Sequence, residues 1–145
     1  MGEVKKEIKL TNYGDIAKFR DDLIAKETIR STSVEMVVDT GATMMIISEE
    51  VAKELGIKKQ TQVYVKLADD SIHKHYKGYG ILVEYDGRDC VCDCIILERG
   101  VTCLLGQIPL EEMDLVVDCN NKTLLPNPQN PAGIATVNLR HSVVY

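Results

Sequence analysis

Val37-Val38-Asp39-Thr40-Gly41-Ala42-Thr43 is the stretch on which the reading of this chain turns. An apolar run, Val34 to Val38, leads into it, and a second apolar burst, Met44-Met45-Ile46-Ile47, leaves it. Asp-Thr-Gly alone is a weak signal, because about one chain of this length in fifty carries the triplet by chance. Its setting sharpens it. Ser48 is a good N-cap, Glu49 and Glu50 suit the positive end of a helix, and Val51, Ala52 and Leu55 repeat at helical spacing before Gly56 ends the turn. The order is strand, tight acidic turn, strand, then a short helix over Ser48 to Leu55.

Working outward, most of the chain reads as short strands. Glu3 to Leu10 alternates, with Val4, Ile8 and Leu10 on one side and Lys5, Glu7 and Lys9 on the other. Thr61 to Leu67 and Ile72 to Tyr79 flank Ala68-Asp69-Asp70-Ser71, a hairpin tip. Ile81 to Tyr85 and Cys90 to Ile96 flank Asp86-Gly87, the strongest short-range hairpin signal. Val101 to Leu105 closes at Gly106, and Pro109 suits the first turn of a second short helix, Pro109 to Met113. Leu115 to Val117 and Thr123 to Leu125 flank one more turn. Asn127-Pro128-Gln129-Asn130-Pro131 is a spacer that holds no ladder, and Thr136 to Tyr145 alternates again as a terminal strand. The expectation is one mainly β domain over 1–145, a closed barrel or sandwich of short strands and hairpins with two short helices. Its core spans about 34–125, and strands over 3–10 and 136–145 end it.

Composition removes several classes of function. The chain has 145 residues, 45% of them apolar and 27% charged, the balance of an ordinary single globular domain. A net charge of −5, with one Phe and no Trp, disfavours a phosphate-binding surface and stacking platforms, so no nucleic-acid partner is expected. No apolar run approaches 18 residues and MGEVKKEIKL lacks the apolar centre of a secretory signal, which reads as a cytoplasmic protein with no membrane partner.

The five cysteines include no C-x-x-C pair. Cys90, Cys92 and Cys94 alternate, which on a strand puts three sulfurs on one face, where free Cys packs as a small hydrophobe. His73 and His75 also share a strand face, but no third ligand follows at a familiar spacing, so no metal site is expected. Gly-x-Ser-x-Gly, His-Glu-x-x-His and phosphate-cradling Gly-Lys-Ser/Thr motifs do not occur.

About sixty residues after Asp-Thr-Gly-Ala comes Leu104-Leu105-Gly106, leading into the second helix. In this order of parts the chain resembles the retropepsin-like aspartic proteases, whose subunit runs from catalytic loop to flap hairpin to an apolar-apolar-Gly segment before a helix. The resemblance covers roughly 34–125. It implies an aspartic endopeptidase, with Asp39 as the catalytic carboxyl and with Thr40 and Gly41 shaping its loop. The Thr40 hydroxyl would tie two such loops together. Ala42 and the flap residues Ala68, Asp69 and Asp70 would meet the substrate. Water is the nucleophile in this chemistry, so no cofactor or metal is implied.

Such chemistry requires a second carboxylate, because two carboxyls about 3 Å apart share one proton, one acting on water and the other on the substrate carbonyl. No second Asp-Thr-Gly or Asp-Ser-Gly occurs in the chain. One chain offers one half-site, and the implied enzyme is a two-fold homodimer acting on an extended peptide or protein segment. Terminal strands pair between subunits in the family, which makes 3–10 and 136–145 the candidates for the dimer sheet. Many viral relatives carry an Asp–Arg pair where this chain has Thr43 and Gln107, and a glycine-rich flap where this one is acidic. Losing both charges together leaves no buried charge unpaired, and the pattern reads as a cellular, non-viral branch. A non-catalytic dimeric or peptide-binding module on the same fold is the other reading.

Overall fold

A computed structural model describes residues 3–130. The elements in order are strand β1 (Val4–Asn12), helix α1 (Tyr13–Arg20), a 3-10 turn (Lys26–Thr28), β2 (Ser31–Val38), β3 (Met45–Ser48), helix α2 (Glu49–Leu55), β4 (Thr61–Lys66), β5 (Ile72–Tyr85), β6 (Arg88–Leu97), β7 (Leu104–Leu105), helix α3 (Gln107–Glu112), β8 (Leu115–Asp118) and β9 (Thr123–Pro126). Seven strands form one sheet in the order β1-β2-β7-β3-β6-β5-β4, and β1 also pairs with β5. That extra pairing closes six strands into a barrel and leaves β4 outside as an arm whose outer edge pairs with no other strand among the described residues. The second sheet is the hairpin β8-β9. The expected mainly β, retropepsin-like architecture is therefore present.

Alternation puts the apolar side chains inside. Ile8, Leu10, Met36, Met45, Ile47, Ile81, Val83 and Leu105 are all fully buried, and Leu55 of α2 closes one end. Cys90, Cys92 and Cys94 point inward from β6, as their spacing indicated, and Cys103 joins them. Burial pushes the Cys94 thiol up to about 12.

Turn chemistry fixes the hairpins. Asp86 and Gly87 both take positive φ (47° and 77°), the conformation that matches the twist of the strands they join. The two strands expected on either side of Gly80 are a single strand, β5. Its pairing with β6 runs Gly78↔Cys94 and then Ile81↔Cys92, so β5 carries one extra residue. Gly80, at φ 81°, absorbs that bulge, and the inward alternation continues beyond it.

The expectation of two helices missed α1. This helix has no apolar stripe and is held by polar contacts. Asn12 caps it, its Oδ1 accepting from Asp15 N at 3.0 Å, while Asn12 Nδ2 donates to Leu55 O at 2.8 Å. Asp15 in turn accepts from Arg30 N at 3.0 Å, Nε at 2.9 Å and Nη2 at 2.9 Å. The Arg30 guanidinium lies over Gly56, where a Cβ would come within 1.9 Å of Nη1. Helix α2 spans Glu49–Leu55 with Ser48 as its N-cap, and α3 starts two residues before the expected Pro109.

Of the two candidate dimer strands, β1 pairs along Val4 to Thr11 with β2 and along Lys9 to Asn12 with β5. The other, 136–145, lies outside the described residues. Asp114 holds the beginning of the spacer back, its carboxylate accepting from Asn127 Nδ2 and Asn130 Nδ2, both at 3.1 Å.

Candidate active site

Strand β2 delivers Asp39 to the rim of the barrel. Its last residues pair in parallel with β7, Val37 with Leu104 and Val38 with Leu105, and Asp39 N donates to Leu105 O at 3.0 Å. The chain then turns at once. Ala42 N donates to Asp39 O at 3.2 Å and Gly41 N donates to Asp39 Oδ1 at 2.9 Å, so the carboxylate is half-buried and oriented by its own loop. A Cβ at Gly41 would stand 3.1 Å from that same oxygen. Thr40 is exposed, and its hydroxyl makes no hydrogen bond among the described residues.

The Leu-Leu-Gly segment clamps this loop from below. Gly106 is the N-cap of α3 and supplies no side-chain cap. Instead, the first amides of the helix donate across to the loop: Gln107 N to Ala42 O at 2.7 Å and Ile108 N to Thr43 O at 3.0 Å. The approach is so close that a Cβ on Gly106 would lie 2.3 Å from Met44 O and 2.8 Å from Ala42 O. Gln107 is thus tied to Ala42, and Thr43 to Ile108, through backbone rather than through side chains. The Gln107 side chain turns away to Glu111, Nε2 donating to Oε1 at 2.8 Å.

Strands β4 and β5 form the expected hairpin, with a tip at Leu67 to Ser71. Asp70 takes φ 65°, Leu67 N donates to Ser71 O at 2.9 Å, and Asp70 N donates to Leu67 O at 3.0 Å. Asp69 accepts from the Ser71 backbone amide and hydroxyl, and these bonds hold its carboxyl below the usual range. Asp70 pairs with Lys66 at 3.2 Å.

Between hairpin and loop lies a cleft of about 710 Å³. Asp39, Gly41, Ala42 and Thr43 form one wall, and Tyr64 to Ala68 form the other. Its floor is a row of three apolar residues set by register: Ile46 on β3 lies opposite Leu104 on β7 and beside Ile95 on β6. Of the residues expected to meet substrate, Ala42 and Ala68 border the cleft, whereas Asp69 and Asp70 are not among its lining residues. Ile46, Ile95, Tyr64 and Lys66 were not singled out from the sequence, and Leu104 was read there only as part of the Leu-Leu-Gly segment, not as a cleft residue. Only the pairing register could have found the floor, because the three residues come from distant strands.

Among the described residues no group of three or more His, Cys, Asp or Glu side chains is placed to hold a metal ion. His73 Nε2 contacts Ser71 Oγ at 2.9 Å, and His75 faces Glu98 at 3.9 Å. No helix among those residues is long and apolar enough to cross a membrane.

Comparison with curated proteins found no match. Residues 25–112, more than half of the chain, match the family described as "gag-polyprotein putative aspartyl protease". That span contains the Asp39 loop, the hairpin over the cleft and the Leu-Leu-Gly clamp in their expected order, and the chain belongs to this family of retropepsin-like aspartyl protease domains.

Proposed function

We propose that this protein is an aspartic endopeptidase that works as a homodimer, with Asp39 of each subunit forming the shared-proton pair. The observation that carries this reading is the position of Asp39. It sits on a loop clamped by Leu105 and Gly106, half-exposed, at the wall of a cleft whose other wall is a free-edged hairpin strand.

One chain contains one such loop, so the second carboxyl comes from a second copy across a two-fold axis. One carboxylate then takes a proton from water as it attacks, while the partner carboxylic acid protonates the substrate carbonyl. The Gly41 amide holds one oxygen of Asp39 in place at 2.9 Å. The exposed Thr40 hydroxyl is available to the facing loop. An extended peptide would bind along the open edge of β4 by backbone hydrogen bonds, with Ala42 and Ala68 close to its backbone and an apolar side chain over Ile46, Ile95 and Leu104. Closure of the hairpin would exclude water from the reacting centre.

The test is cleavage of an unstructured protein by the purified chain and by Asp39→Asn. The amide is nearly isosteric but cannot act as base, so cleavage should vanish while the fold is kept. Retained cleavage by the variant would refute the assignment. Peptide binding with no cleavage by the wild type would favour a non-catalytic binding module.

A further inference from the structure

Besides the catalytic Asp39, the cleft has one charged side chain in its lining among the described residues. Lys66, the last residue of β4, borders it, while the other lining residues are neutral. The cation is not deeply engaged. Its partner Asp70 lies four residues on, across the hairpin tip at 3.2 Å, and both side chains are well exposed, 66% and 84%. An exposed pair of this kind contributes little and exchanges readily for another carboxylate.

We infer that Lys66 selects substrates with an acidic side chain flanking the apolar residue that occupies the cleft floor, and that Asp70 is its internal placeholder. This rests on the endopeptidase reading and names a substrate class for it. Successive side chains of an extended peptide paired along β4 point alternately to the two faces of the hairpin sheet, at about 3.3 Å per residue. A Glu near the cleaved bond therefore reaches the Lys66 ammonium while an apolar neighbour covers Ile46, Ile95 and Leu104. The substrate carboxylate replaces Asp70 on Lys66, and Asp70, 84% exposed at the hairpin tip, is left to water. Lys74, opposite Tyr64 on β5, is not among the lining residues and cannot substitute for Lys66 in this role.

The probes are blocked peptide pools with a central apolar pair and each flanking position fixed in turn as Glu, Gln or Lys. Cleavage is measured on the wild type, and binding by fluorescence anisotropy on Asp39→Asn, so selectivity can be read even without turnover. Wild type should favour Glu over Gln at one position by about fivefold in kcat/KM and in affinity, an advantage that shrinks as salt is raised. Lys66→Met should bring that ratio to about one, and Lys66→Glu should turn the preference to Lys. Asp70→Asn should increase the ratio, since Asn tolerates the left-handed backbone at 70 and leaves Lys66 unpaired. Equal handling of Glu and Gln pools by the wild type, or a ratio unmoved by Lys66→Met, would overturn the inference while leaving the endopeptidase intact. Selective binding without any cleavage would instead support Lys66 and contradict the catalytic reading.

Discussion

The amide of Gln107 donates to the carbonyl of Ala42 across 2.7 Å, tying the first turn of α3 directly to the Asp39 loop. That contact exists only because residue 106 has no side chain. In Gly106→Ala a Cβ would press on the carbonyl oxygens of Met44 and Ala42, which are backbone atoms with no rotamer by which to yield. We expect a loss of about 2–3 kcal/mol, typical of overpacking at a rigid site, together with loss of cleavage. Urea denaturation and a peptide assay check it, and an unaffected Gly106→Ala would show that the clamp is dispensable.

The polar network around α1 gives a pH-dependent term in stability. Arg30 hydrogen-bonds Asp15 and holds its carboxyl below the usual range. A lowered folded-state value means that this contribution is complete above the unfolded value near 4 and disappears as pH falls through the folded one. Arg30→Met should cost about 1–3 kcal/mol at pH 7, because the side chain of Asp15 is 5% exposed and loses its charged partner. The gap in Tm between wild type and variant should narrow from pH 5 downward. A gap that stays constant to pH 2.5 would mean that the ion pair contributes nothing to folding.

The cysteines should divide by burial. Cys90, Cys92, Cys94 and Cys103 are buried and Cys119 is exposed. Iodoacetamide at neutral pH should label Cys119 in the folded protein and the other four only in denaturant, read by peptide mass spectrometry. Rapid labelling of Cys94 in the native state would contradict the inward orientation of β6.

Much of this was legible in the sequence because the decisive signals are local. Asp86-Gly87 specifies its own turn, alternation specifies which faces of β1 and β6 are buried, and Ser48 and Gly56 bracket α2. Helix α1 was not legible because burial of an apolar face does not hold it. Its anchors, Asn12, Asp15, Arg30 and Leu55, converge only after the barrel closes. The bulge at Gly80 escaped for a related reason: a glycine between two strand-like runs marks a turn or a bulge equally well, and only pairing with β6 decides. At the site, Asp39, Thr40 and Gly41 stand out as a motif. The cleft floor does not, since Ile46, Ile95 and Leu104 become neighbours only through parallel and antiparallel registers that no short pattern encodes.

Subunit mixing measures the shared Asp39 pair most directly. Wild-type chains at fixed concentration are refolded with increasing amounts of Asp39→Asn chains, and cleavage is followed per wild-type subunit. If each active centre needs one Asp39 from each of two chains, activity should fall in proportion to the wild-type fraction, reaching half at an equal mixture. Activity that stays constant as variant chains are added would contradict the shared pair and assign the chemistry to a single subunit.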